Sequence, residues 1–146
     1  MELSEHFTLE EATSSSIAAR EGLANMPDDF ILENMKKAAK GMEKVRSLLG
    51  FPITITSWYR SVLVNKAAKG AVTSSHPKGW AIDFICPKYG TPKQICELIV
   101  KSGIKFDQLI FEGTWVHISF EPELRGQVLT AKFRPGKKTQ YHTGIV

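Results

Sequence analysis

From Asp29 to Leu49 the apolar residues Ile31, Met35, Ala38, Ala39, Met42, Val45 and Leu49 recur at steps of three and four. That spacing predicts the longest helix of the chain, with one face on the core and Gly50 as its stop. Ahead of it, Thr8-Leu9-Glu10-Glu11 reads as a capping box that starts a short helix. A second short helix is expected over Ile17–Glu21, and Asn25–Asp28 is a turn whose Asp28 caps the long helix. The pattern then changes. Ile53-Thr54-Ile55-Thr56 is β-branched throughout and predicts a strand. Ser61 caps a helix to about Lys69, and residues 70–78 form a loop of small and polar residues. Trp80–Ile85 is a second strand. Thr91 and Pro92 open another helix, as N-cap and first helical residue, which runs to about Lys101 and closes at Gly103. Gln108–Phe111 and Trp115–Phe120 read as strands joined by a Gly113-Thr114 turn, and Gln127–Phe133 as an edge strand. The tail from Arg134 is basic and polar and is expected to be loose. Helices first, then strands mixed with helices, predict an α+β fold with a mostly antiparallel sheet.

The length of 146 residues predicts a single domain over 1–146 with enough core to fold without staples. Cys86 and Cys96 sit among apolar residues at a spacing that fits neither a redox nor a zinc pair, so both are expected to be free and buried. The net charge of +4 is carried by scattered lysines and arginines, which reads as a solvated basic surface and not as a nucleic-acid face. The first sixteen residues lack the basic and apolar regions of a signal peptide, and no apolar run is long enough to span a bilayer. The expectation is a chain made in the cytoplasm, acting as a monomer without membrane insertion and reaching any outside target by another route.

The candidate chemistry lies with two of the four histidines. In the strand Trp80–Ile85, residues 80, 82 and 84 form a bulky apolar face, and Asp83 projects from the other. In the strand Trp115–Phe120, Val116, Ile118 and Phe120 share one face, and His117 projects from the other. His76 lies just before Asp83, and Gly79 permits a turn that folds it back. Two histidines and an aspartate so placed can supply three ligands to a catalytic zinc, leaving a position for water. Trp58, Tyr59, Trp80 and Trp115 are candidates for a cleft wall, although aromatics beside strands more often belong to the core.

The segments Ser57-Trp58-Tyr59-Arg60-Ser61, Ser75-His76-Pro77-Lys78-Gly79-Trp80-Ala81-Ile82-Asp83-Phe84 and Trp115-Val116-His117-Ile118-Ser119 together resemble the M15 peptidase family. Ser74, His76, Gly79, Ala81 and Asp83 match its S-x-H-x-x-G-x-A-x-D element in type and spacing. The likeness covers most of the chain up to about Phe133. That family includes zinc D-Ala-D-Ala carboxypeptidases and phage endolysins. The resemblance implies a Zn²⁺ held by His76, Asp83 and His117, and a substrate-binding Arg60. A guanidinium there can hold a carboxylate or polarise the scissile carbonyl.

One position departs from the family. Many members carry an acidic base three residues before the last histidine, where this chain has Thr114. Glu112 and Asp107 are the nearest carboxylates, and Glu112 is expected to be the catalytic base. The resemblance implies a peptidoglycan stem peptide as substrate, cut inside the stem (for example between L-Ala and D-Glu) or at a terminal D-Ala. It also implies a phage or prophage source. The rivals are a non-catalytic zinc module of the same fold, as in the signalling domain of Hedgehog proteins, and a virion-associated wall-binding protein.

Overall fold

A computed structural model describes residues 1–146. Three helices come first: α1 (Leu9–Thr13), α2 (Ser16–Glu21) and α3 (Asp29–Leu49). Thr8 and Glu11 form the expected capping box, and Asp28 caps α3 by accepting from the Ile31 N–H at 2.8 Å. Packing, more than capping, holds α3. Met35, Met42, Val45 and Leu49 are buried and contribute about 1.5–3 kcal/mol each, against about 1 kcal/mol for the cap. Gly41, on the same helix, lets the Phe120 ring lie against the backbone. A Cβ there would come within 2.4 Å of that ring.

The remaining elements are β1 (Thr54–Ser57), α4 (Val62–Ala67), a 3₁₀ turn at His76–Lys78, β2 (Ala81–Ile85), α5 (Pro92–Ser102), β3 (Gln108–Phe111), β4 (Val116–Ser119), β5 (Gln127–Lys132) and β6 (Gln140–Thr143). The strands form one sheet in the order β1-β2-β4-β3-β5-β6. All pairs are antiparallel except β3 with β5. The fold is therefore α+β with a mostly antiparallel sheet, as the periodicity predicts. Ile82, Phe84, Leu109, Val116 and Ile118 from one face of the sheet join residues of α3 and α5 in one hydrophobic cluster. The other face is left for the site.

Two expectations need correction. The tail is not loose throughout: Gln140–Thr143 is β6, paired with β5 from Leu129↔Thr143 to Lys132↔Gln140. Consequently β5 is an inner strand, and the sheet edge lies at β6. The reason is that Gly136, at φ 70°, turns the chain back and β5 offers a free edge. Also, β1 is displaced by one residue from Ile53–Thr56. A bulge between Ile55 and Ser57 places Ser57, not Thr56, opposite Asp83. Cys86 and Cys96 are buried and free, as expected. No helix is long and apolar enough to cross a membrane.

Candidate metal centre and cleft

Asp83 and His117 are cross-strand partners in the β2–β4 ladder, so their side chains leave the same face of the sheet. His76 reaches the same point from the 3₁₀ turn. That turn closes at Gly79, with φ at 84°, where the Met35 side chain and Ile31 backbone crowd any added Cβ. Both the conformation and the space require glycine there. His76 Nε2 lies 3.3 Å from Asp83 Oδ2, and His117 Nδ1 lies 2.9 Å from Asp83 Oδ1. One ligand atom from each residue falls within 4.8 Å of the others. Sequence reasoning brought these three together, and the structure does too.

The surrounding groups decide how His76 is presented. Its Nδ1 is 2.6 Å from the carbonyl oxygen of Trp58, which makes Nδ1–H the donor. Trp58 is itself anchored, its indole N–H donating to the Gly79 carbonyl at 2.9 Å. The Arg60 N–H donates to the His76 carbonyl at 3.4 Å, and the Ser74 hydroxyl accepts from the His76 N–H at 3.2 Å. The Ser75 hydroxyl bonds to the Glu121 carboxylate, tying this loop to the end of β4. With Nδ1 committed, a neutral His76 points its Nε2 lone pair at Asp83 Oδ2, which also bears lone pairs. That juxtaposition calls for a cation between them, either a proton or a metal. Burial pushes the His76 pKa down and works against the proton, although the Asp83 charge opposes it. Burial alone would raise Asp83. The neighbouring His76 and His117, by charge and hydrogen bonding, instead hold its carboxyl well below the usual range. Two imidazoles and an ionised carboxylate, one imidazole oriented by a carbonyl, fit a divalent metal.

The triad lines a cleft of about 710 Å³. Arg60 projects into it. Burial lowers the Arg60 pKa, with Asp83 and Glu112 opposing, and its Nε is a buried donor without a protein acceptor. Such a donor is costly unless a ligand or water meets it. Glu112 also lines the cleft. Burial raises its pKa, and among the nearby charges His117 and Arg60 lower it while Asp83 raises it. These are the surroundings a general base needs.

Asp107 is placed otherwise. Its carboxylate receives Arg125 Nε at 3.0 Å and NH2 at 2.9 Å, and it lies outside the cleft lining. Trp58, Tyr59 and Trp80 belong to the core, and of the four aromatics only Trp115 lines the cleft. The sequence reading missed Phe133, Tyr141, Glu121 and Arg125, all of which do.

A mostly antiparallel sheet with a His-Asp-His set open to a cleft could hold a metal and fits a metallopeptidase. The Peptidase M15 family model matches residues 5–119, and the chain belongs to that family. Its substrate is accordingly a peptide. No curated protein matches the chain.

Proposed function

We propose that this protein is a zinc peptidase that hydrolyses the stem peptides of peptidoglycan, with His76, Asp83 and His117 as the metal ligands. The observation that carries the reading is the buried His76–Asp83–His117 cluster beside a half-buried Glu112 and a buried, unpartnered Arg60 donor. Zinc, when bound, supplies a Lewis acid and an activated water at neutral pH.

The chain's own residues do the rest. The Trp58 carbonyl holds His76 in the tautomer that exposes Nε2. Glu112, kept basic enough by burial, accepts the proton of the attacking water and returns it to the leaving amine. Arg60 directs its unpartnered donor at the scissile carbonyl or a substrate carboxylate, where charge develops. Asp107 is excluded from the proton transfer by its bidentate pairing with Arg125. The substrate versions are an endopeptidase acting within the stem and a D,D-carboxypeptidase. The reading extends to a phage or prophage endolysin that works as a monomer at the cell wall.

A second reading has one observation in its favour. Thr114 occupies the position from which many family members supply their acid, as it would in a zinc module without activity. Mass spectrometry of fragments released from purified peptidoglycan, with and without a chelator, separates the two. Chelator-sensitive release of new amino termini and a defined cleavage site is expected. Zinc-loaded protein that releases nothing from several wall types contradicts the peptidase reading.

A further inference from the structure

The family match ends at Ser119, yet the cleft does not. Its floor continues across the sheet in register. Asp83 is paired with His117, His117 with Ile110, Ile110 with Leu129, and Leu129 with Thr143. Cross-strand partners share a face, so one continuous row runs from the metal ligands to the sheet edge. The next row is equally informative. The β3–β5 offset that pairs Phe111 with Thr130 leads, one step on, from Glu112 to Ala131, and Ala131 pairs with Tyr141. Ala131 carries only a methyl group, and Tyr141, its partner on β6, lines the cleft. Glu112's charge is among the causes that hold the Tyr141 hydroxyl above its ordinary pKa, after burial.

Phe133, two residues beyond Ala131 and on the same face, packs in a tilted pair with Trp115 from the β3–β4 turn, ring centroids 6.0 Å apart. Phe133 and Tyr141 line the cleft and are 53% and 55% exposed. Large aromatic surface left exposed inside a cleft is a mark of ligand contact. From β4 to β6 the sheet spans three inter-strand steps, roughly 14 Å at about 4.8 Å each, which matches about four extended residues. Over that span the floor is the apolar Ile110 and Leu129.

We propose that Tyr141, with Phe133, is a specificity-determining residue, which holds the part of the peptide remote from the scissile bond and makes the enzyme select extended chains of about four residues over dipeptides. The proposal rests on the peptidase reading above. Binding energy gathered at this distance is available for orienting the bond at the metal.

The test uses synthetic peptides that share the bond cut in the wild-type digest, from a dipeptide upward, extended on each side in turn. Wild type should favour the tetrapeptide in kcat/KM. Y141A should lower that preference about tenfold, mainly through KM, as loss of an aromatic anchor does. Y141F should keep it, because the ring makes the contact. H142A, on the opposite face of β6, should leave it unchanged. F133A provides a second, smaller loss on the same wall. A Y141A enzyme with wild-type length preference overturns the proposal, and so does a loss in Y141F equal to that in Y141A. Zinc-loaded wild type that cuts no peptide of any length instead overturns the peptidase reading itself.

Discussion

The two ends of the site face are built differently. At the β2–β4 end, every part of His76 that meets protein is held: Nδ1 by the Trp58 carbonyl, the N–H by Ser74, the carbonyl by the Arg60 and Gly79 N–H groups. At the β5–β6 end, the cleft-facing Phe133 and Tyr141 are half-exposed, and the residues of the short edge strand β6 are exposed. The first arrangement suits chemistry, which tolerates little misplacement. The second suits selection among chains of different length. The joint between them is the Asp107–Arg125 pair, reinforced by Gly126 and Gln127 N–H groups donating to the Phe106 and Asp107 carbonyls. One sheet thus carries a rigid centre inside the family match and an open wall outside it.

The sharpest way to break this comparison is at the rigid end. His117→Ala removes a ligand at the centre of β4, and the variant should lose stoichiometric zinc and all hydrolysis by metal analysis and peptide assay. Full zinc in that variant means the ligand set is wrong. Next in size is Arg60→Ala. It should keep zinc and the fold yet lose roughly 10²–10³ in turnover, the usual loss for one charge-stabilising donor. Unchanged turnover would reduce Arg60 to a packing residue.

The joint should show a pH signature. Arg125, by hydrogen bonds first, lowers the Asp107 pKa. A depressed carboxylate stabilises the fold above its unfolded value of about 3.9, and this is lost as pH falls through the folded pKa. Arg125→Met should therefore be less stable than wild type at pH 7 in urea melts, with the gap closing below about pH 4. A gap independent of pH would mean that the pair contributes only packing. The smallest effect is expected from reductant, which should leave the melting temperature unchanged because Cys86 and Cys96 are free. A large drop would contradict this.

What the sequence revealed follows the same division. The long helix and the opposed faces of β2 and β4 were legible because each has a buried apolar side that sets a period. The meeting of His76, Asp83 and His117 was legible because two of the three sit mid-strand on the polar side. β6 was not, since Gln140-Tyr141-His142-Thr143 has no core face and therefore no apolar alternation. The Trp58 carbonyl could not be read at all: it is a backbone atom, and any residue would supply it. The fate of Asp107 was hidden in a partner eighteen positions away, chosen by the route of the β4–β5 connection.

Glu112→Gln tests the account most directly. The substitution keeps the size of the side chain and leaves the three metal ligands untouched, but it removes the group that accepts the proton. Zinc content and peptidoglycan fragment release should be measured on the same preparations of wild type and variant. The account predicts stoichiometric zinc in both, fragments with new amino termini from wild type, and a loss of about 10²–10⁴ in rate from the variant. A Glu112→Gln protein that holds zinc and cuts cell walls at the wild-type rate would contradict it.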